Sequence, residues 1–297
     1  MIDHRRFLSS LSAEEKARLI AKSNYRGILH LSGHSAVICA LGTWVWQGWF
    51  GWPLVMVPFG IAMVFLFTLE HECTHKTPFP LGPWNEGVGH VCALVMILPF
   101  TWFRYFHLAH HKWTNIPEKD PELDGVAPIG FWPLVLHISG VPYWKSMIVQ
   151  LVKNAFCGDV GAYVPNGAQR RVRLEARVML GIYLGATLSL WWWSWLFWLW
   201  VLPVVVGQPF LRLYLMAEHG RCAQVANMFE NTRTTFTNTV VRFLAWNMPY
   251  HTEHHVYPAV PFHNLPELHQ HSRTYLQETA DGYVAFAGDQ LRHLKDQ

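Results

Sequence analysis

Eight of the 18 histidines in this 297-residue chain fall into three tight groups: His71-Glu72-Cys73-Thr74-His75, His107-Leu108-Ala109-His110-His111 and His251-Thr252-Glu253-His254-His255. Residues three and four apart share one face of a helix. His71 and His75 then point the same way, one turn apart. His107 sits over both His110 and His111, and His251 over His254 and His255. Each group presents two or three imidazoles toward a common point. Neutral imidazole ligates iron, zinc, copper and nickel. Eight nitrogens are too many for one ion and suit two ions sharing a cage. One HxxxH alone is most often structural. Three such groups without metal would bury many unpaired imidazole nitrogens, which is costly.

A ninth candidate is His219, in Glu218-His219-Gly220. A lone histidine at a helix end is usually a polar cap, but the span reading below brings this one level with the three groups. His4, His30, His34, His137, His263, His269, His271 and His293 read as surface, interfacial or packing residues, and His90 as either packing or support for the site. Glu72, Glu218 and Glu253 either orient metal-bound histidines or are solvated charges. The stretch Thr114-Asn115 to Asp120-Pro121-Glu122 either supplies hydrogen bonds to the second group or is a simple turn.

The elements that must position these groups are apolar. Charged residues are only 14% of the chain, aromatics are 15%, and there are 16 tryptophans. That charge is too sparse to cover a globule of this size in water, and fits a protein wetted partly by lipid. A bilayer takes about 20 residues of helix to cross. Four stretches qualify, at about 28–50, 52–69, 178–193 and 195–217. Residues 88–103 and 129–141 are shorter or broken by proline and read as interfacial or re-entrant. The 23 Lys and Arg test this topology: six precede residue 28, ten lie within 70–177, six follow residue 217, and the last is Arg212. The outer turns near Gly51 and Ser194 hold none. The positive-inside rule then puts both termini, the middle loop and all three histidine groups in the cytosol.

Residues 1–27 form a basic cytosolic lead-in rather than a signal peptide. Within it, Ser12 and Glu15 make a capping box. Residues 28–270 form the membrane domain, and 271–297 a cytosolic tail with helical character. Five cysteines without a CxxC pair argue against a disulfide framework or a zinc knuckle. The net charge of +3 and the absence of a basic run argue against nucleic acid.

The boxes HECTH, HLAHH and HTEHH, in this order and on this topology, resemble the membrane fatty acid desaturase and hydroxylase superfamily over about residues 28–270. The signature is specific for the superfamily and poor at separating its activities. The resemblance implies an all-α integral membrane protein, with four transmembrane helices and a cytosolic helical cap that holds two irons. It implies the ligands His71, His75, His107, His110, His111, His251, His254 and His255, with His219 as the extra ligand at the end of the fourth span. Acyl-CoA desaturases carry an asparagine one turn before that last ligand. Here the position is Leu215, a departure from a strict acyl-CoA desaturase pattern. The third box opens with histidine, not the glutamine of front-end desaturases with a fused cytochrome, and no His-Pro-Gly-Gly haem signature occurs.

The implied reaction removes hydrogen from an unactivated C–H bond with O2. A second removal gives a double bond, and transfer of oxygen gives an alcohol. The substrate expected is a fatty acyl chain, as acyl-lipid or acyl thioester, drawn from the bilayer. Electrons come from a separate ferredoxin, rubredoxin or cytochrome. The alternative within the superfamily is a hydroxylase or ketolase acting on a carotenoid, alkane or lipid chain, since Val256-Tyr257-Pro258 after the third box also resembles the carotenoid enzymes. A non-enzymatic metal transporter would need polar residues inside the spans, and spans two to four have almost none before their cytosolic ends. A bis-histidine haem protein would need its pairs within the spans.

Overall fold

The computed structural model describes residues 3–124 and 128–295, with side chains described as far as residue 293. Residues 125–127 of the middle loop, and the ends of the lead-in and tail, lie outside the described residues. Two short helices open the chain, α1 (His4–Ser10) and α2 (Ala13–Leu19). The expected capping box is formed: Ser12 Oγ accepts from Glu15 N at 3.1 Å, and Glu15 Oε2 accepts from Ser12 N at 2.7 Å.

The first long helix, α3 (Asn24–Trp46), starts on a Ser23 side-chain cap. It stops short of residue 50 because Gly48 and Gly51 take left-handed conformations, φ 62° and 76°. Gly51 then caps α4 (Trp52–Val64), which continues after Phe65 as α5 (Leu66–His75). Together Trp52–His75 is one apolar span, six residues longer at its inner end than the hydropathy window of the sequence. Lys76, at φ 58°, ends it directly after the first histidine group.

Helices α6 (Gly82–Met96) and α7 (Phe100–Trp113) are bent by 97° around Ile97 and Pro99. This is the shape expected of a re-entrant or broken segment. Then come α8 (Phe131–Ile138), α9 (Val141–Phe156) and α10 (Asn166–Ser189). Three helical stretches are long and apolar enough to cross a membrane: Ala13–Trp46, Trp52–His75 and Phe197–His219, or four if the bent pair counts as one. The expected third span does not stand among them. α10 runs through it but carries Arg170, Arg171, Arg173, Glu175 and Arg177 in its first half, and it ends at Ser189, so its apolar part is short.

A wide turn, Phe197–Val201, leads into α11 (Leu202–His219). α11 packs on α4 at a glycine–glycine crossing. A Cβ on Gly60 would lie 2.4 Å from the Pro203 carbonyl oxygen, and one on Gly207 would lie 2.2 Å from that of Gly60. Only hydrogen fits there, which lets the two backbones touch. The crossing fixes where α11 delivers His219 relative to α5.

The remaining elements cover the end where α5, α7 and α11 terminate. They are α12 (Met228–Asn231), α13 (Thr239–Leu244), α14 (His251–Val256), α15 (Leu265–Ser272) and α16 (Tyr283–Lys295). α14 packs on α1, α12 and α15, and α15 on α2. The strands β1 (Thr234–Thr235) and β2 (Thr279–Ala280) form a two-residue parallel pair that ties the tail to α14. Arg18 pairs with Glu267 at 2.6 Å, and Asn264 Nδ2 donates to Leu19 O at 2.9 Å, so the lead-in is fastened to the same layer. All five cysteines are free.

Candidate metal centre

α5 brings His71 and His75 to one face, α7 brings His107, His110 and His111, and α14 brings His251, His254 and His255. His219 is the last residue of α11. All nine sequence candidates meet in one place. They divide into two sets. His71, His75, His107, His111 and His254 each offer one nitrogen, all within 4.8 Å of one another, and His110, His219 and His255 form a second such group. His251 joins the second set, its Nε2 3.0 Å from that of His219.

The ring nitrogens face one another rather than acceptors. Nε2 of His107 lies 2.9 Å from Nε2 of both His75 and His111, and His111 Nε2 lies 3.2 Å from that of His254. Nε2 of His110 and His219 are 3.2 Å apart. Nε2 of His71 and of His255 are buried with no partner at all. Imidazole lone pairs aimed inward at one another, with buried nitrogens left over, are the donor arrangement of a pair of transition-metal sites.

The outward nitrogens explain the orientation. His110 Nδ1 donates to Asp120 Oδ1 at 2.9 Å, and His219 Nδ1 donates to the Asn231 carbonyl at 3.1 Å. His255 Nδ1 lies 3.1 Å from Thr114 Oγ1, which itself donates to the His110 carbonyl at 2.8 Å. Each bond fixes the tautomer that turns Nε2 into the cage. The stretch after the second group is therefore not a simple turn. Asp120 also accepts from the backbone N–H groups of Asn115 at 2.7 Å and Glu122 at 3.0 Å. Burial alone would raise the Asp120 carboxyl, but the bond from His110 and these two N–H groups hold it below its ordinary value, so it stays ionised. Burial, with neighbouring histidines, holds His251, His254 and His255 well below the ordinary imidazole value, so they are neutral and able to ligate.

The three glutamates inside the clusters differ. Glu218 lies 3.3 Å from His251 Nδ1, and Glu72 lies 3.8 Å from His254 Nδ1; both are shielded, not solvated. Glu72 Oε2 instead accepts from Thr77 Oγ1 at 2.7 Å and Phe262 N at 3.1 Å, which ties α5 to the chain after α14. Glu253 accepts from Thr234 Oγ1 at 2.6 Å and His269 Nδ1 at 2.5 Å, away from the cage. His90 pairs with Glu175 at 2.9 Å and stacks edge-on against Phe100, so it belongs to packing. His34 is buried between the Ala62 carbonyl (2.8 Å) and Trp246 Nε1 (3.1 Å), a structural tie between α3, α4 and the end of α13.

Sequence reasoning missed a group of polar side chains sealed inside the helical bundle: Glu70 on α5, Tyr143 on α9, and Gln208 and Arg212 on α11 all hold buried atoms without partners. The available signal was a charge or amide inside an apolar run.

This fold and cage define a class: an all-helical protein with apolar spans and a polyhistidine centre able to hold two metal ions. The family model "Fatty acid desaturase" matches residues 12–287, and the chain belongs to the fatty acid desaturase family, a family of oxidoreductases. It is 26% identical over 241 residues to an sn-1 oleoyl-lipid 12-desaturase of Arthrospira platensis, covering 73% of this chain and 67% of that protein. It is 24% identical over 285 residues to a dihydrorhizobitoxine desaturase of Bradyrhizobium elkanii, covering 88% of this chain and 78% of that protein. A 30% identical match to an endoplasmic-reticulum omega-3 fatty acid desaturase of Vigna radiata covers 33% of this chain and 27% of that protein.

Proposed function

We propose that this protein performs O2-dependent desaturation of an acyl-type chain at a di-iron centre held by His71, His75, His107, His111 and His254 on one side and by His110, His219, His251 and His255 on the other. The observation that carries this reading is the convergence of nine imidazoles from four helices, with inward nitrogens left unpaired. Two bound irons would supply reduction of O2 and removal of hydrogen from an unactivated C–H bond.

The chain's own residues do the rest. Asp120, Thr114 and the Asn231 carbonyl hold three imidazoles in the ligating tautomer. The buried cage keeps water from the reacting carbon, and the protein chooses the bond by where it holds the substrate. The topology proposed is four crossings, with α10 and the run after Trp195 as the third and fourth. Both termini and the cage lie in the cytosol, a placement that the distribution of Lys and Arg supports. The lipid chain enters from the bilayer. Electrons come from a separate carrier of ferredoxin, rubredoxin or cytochrome type.

The test is mass spectrometry of total lipids and small amphiphiles from a host expressing the protein with an electron donor, set against the His110→Ala variant. A product lighter by one pair of hydrogens, absent in the variant, is the expected result. A product heavier by one oxygen would move the assignment to hydroxylation. Full activity in His110→Ala would overturn the di-iron reading.

A further inference from the structure

The last four carbonyls of a helix must find partners beyond it. In α11 these belong to Met216, Ala217, Glu218 and His219. Two are met by the residues that follow: Gly220 N donates to Met216 O at 2.9 Å, and Cys222 N to His219 O at 3.1 Å. The other two are met by a single residue beyond α12. Arg233 Nη1 donates to Ala217 O at 2.9 Å, and Arg233 N donates to Glu218 O at 2.8 Å. Nη1 also donates to Gly220 O at 2.8 Å. The helix dipole favours a cation at this end. The guanidinium is almost wholly buried, and its charge is matched by Glu278 of the tail, with Nη2 3.0 Å from Oε2. It also lies 5.1 Å over the Phe286 ring of α16.

Arg233 stands in a segment, Asn231 to Thr235, that is buried throughout. The segment joins the ends of the three helices that carry His110, His219, His251 and His255. The Asn231 carbonyl accepts from His219 Nδ1, and Asn231 Nδ2 donates to the Thr114 carbonyl beyond α7 at 3.0 Å. Thr252 Oγ1 of α14 donates to the Thr232 carbonyl at 2.8 Å, and Thr234 Oγ1 donates to Glu253 at 2.6 Å. The same segment is paired with the tail: Thr234 N donates to Glu278 O at 3.1 Å, and Phe236 N to Ala280 O at 2.8 Å. Among the described residues no hydrogen bond joins the segment to α5, which carries His71 and His75.

We infer that Arg233 is a positioning residue for the smaller metal group. It fastens the end of α11 to the segment whose Asn231 carbonyl turns His219 into the cage, and through Glu278 it makes that group depend on the tail. Arg233 makes no hydrogen bond to a ligand ring. It acts through the backbone on which His219 stands. The forked guanidinium suits the task, because one nitrogen spans two carbonyls while the other meets the carboxylate. The inference rests on the reading of the cage as a di-iron centre and adds how one half of it is held.

The test uses the full chain in lipid nanodiscs, metal-free and after loading with ferrous iron alone. Arg233→Gln should lower iron per chain by about half at limiting iron, as a loss of about 10–100-fold in affinity at one of two sites would give. Arg233→Lys should recover part of this, since an ammonium still meets the carbonyls at the end of α11. The double variant Arg233→Gln/His219→Ala should hold as much iron as His219→Ala alone, because both changes act on one group. In the metal-free protein, Arg233→Gln should speed amide hydrogen exchange about tenfold or more at residues 216–222 and 231–236 and leave α5 unchanged. Should Arg233→Gln fail to fold, Arg233→Lys and Glu278→Gln, which keeps both carbonyl bonds, carry the comparison with smaller losses. Full iron in Arg233→Gln overturns the assignment. So does further loss of iron in the double variant, or faster exchange spread evenly over α5 and the spans, which would make Arg233 a prop of the whole fold. An unmodified chain that takes up no iron sinks the di-iron reading instead. The exchange pattern, which needs no metal, then decides for or against Arg233 by itself.

Discussion

The two halves of the cage are built differently. In the group of five, four ligands come from α5 and α7, where helical spacing alone aligns them. Their outward nitrogens are lightly held: Nδ1 of His111 and of His254 is buried with no hydrogen-bond partner, and the nearest carboxylate to His254 is 3.8 Å away. The group of three takes its ligands from the ends of α7 and α11 and from α14, and each outward nitrogen has a polar partner within 3.1 Å. Where the backbone period sets the geometry, few braces are needed. Where these three ligands meet from separate helix ends, hydrogen bonds supply the orientation, while His251 beside them has only Glu218 at 3.3 Å from an Nδ1 without a hydrogen bond.

The comparison breaks most sharply on ligand removal. His219→Ala leaves two ligands in the smaller group with His251 beside them, whereas His75→Ala leaves four in the larger. Iron per chain should fall by about half in the first variant, with loss of turnover, and by less in the second, because four nitrogens still satisfy one ion. Elemental analysis of the purified variants reads this. Equal retention in both would mean that the groups are not separate sites.

The next effect is at the braces. Asp120→Asn keeps the shape but removes the charge that His110 Nδ1 meets, and should cost about 10–100-fold in affinity at the second site. Glu72→Gln, at 3.8 Å from His254, should cost less. Chelator competition distinguishes the two. A larger loss for Glu72→Gln would reverse the assignment of which half depends on its partners.

Much of this was legible in the sequence. The three boxes announce themselves because residues three and four apart share a helix face, and His219 was placed by the end of an apolar run. Asp120 was visible only as a nearby carboxylate, since its bond to His110 depends on how the chain turns at Asn115 (φ 59°) and Glu118 (φ 65°). The third span is the least distinct of the four, because the first half of α10 carries four arginines and its apolar part, from residue 178 to Ser189, is short. The unmatched set around Arg212 was out of reach for another reason. Tyr143 and Gln208 are far apart in sequence, and nothing local says that the α8–α9 turn closes on α11.

A smaller effect tests whether the second half depends on the bundle beneath it. His219 reaches the cage only because α11 touches α4 at Gly60 and Gly207. Gly207→Ala forces those backbones apart and should destabilise the protein by about 1–3 kcal/mol. Because α11 carries a ligand of the smaller group and α5 ligands of the larger, iron should be lost first from the smaller. Thermal unfolding and metal content, measured together, check this; an unchanged melting temperature would remove the glycine crossing from the account.

The smallest effect lies outside both groups and controls for them. Burial pushes the His263 imidazole down from 6.5 to about 4, with Arg26 adding to the shift. The folded protein therefore holds it neutral while the unfolded chain takes up a proton near 6.5, and stability falls as pH drops from that value, levelling off below about 4. His263→Gln removes this one contribution without touching a cage ligand. Its melting temperature should fall slightly less than that of the unmodified protein as pH drops through this window, with iron content unchanged. If the two proteins instead lose stability in parallel, the acid sensitivity belongs to the cage histidines alone, and the boundary between cage and packing drawn at His263 moves outward.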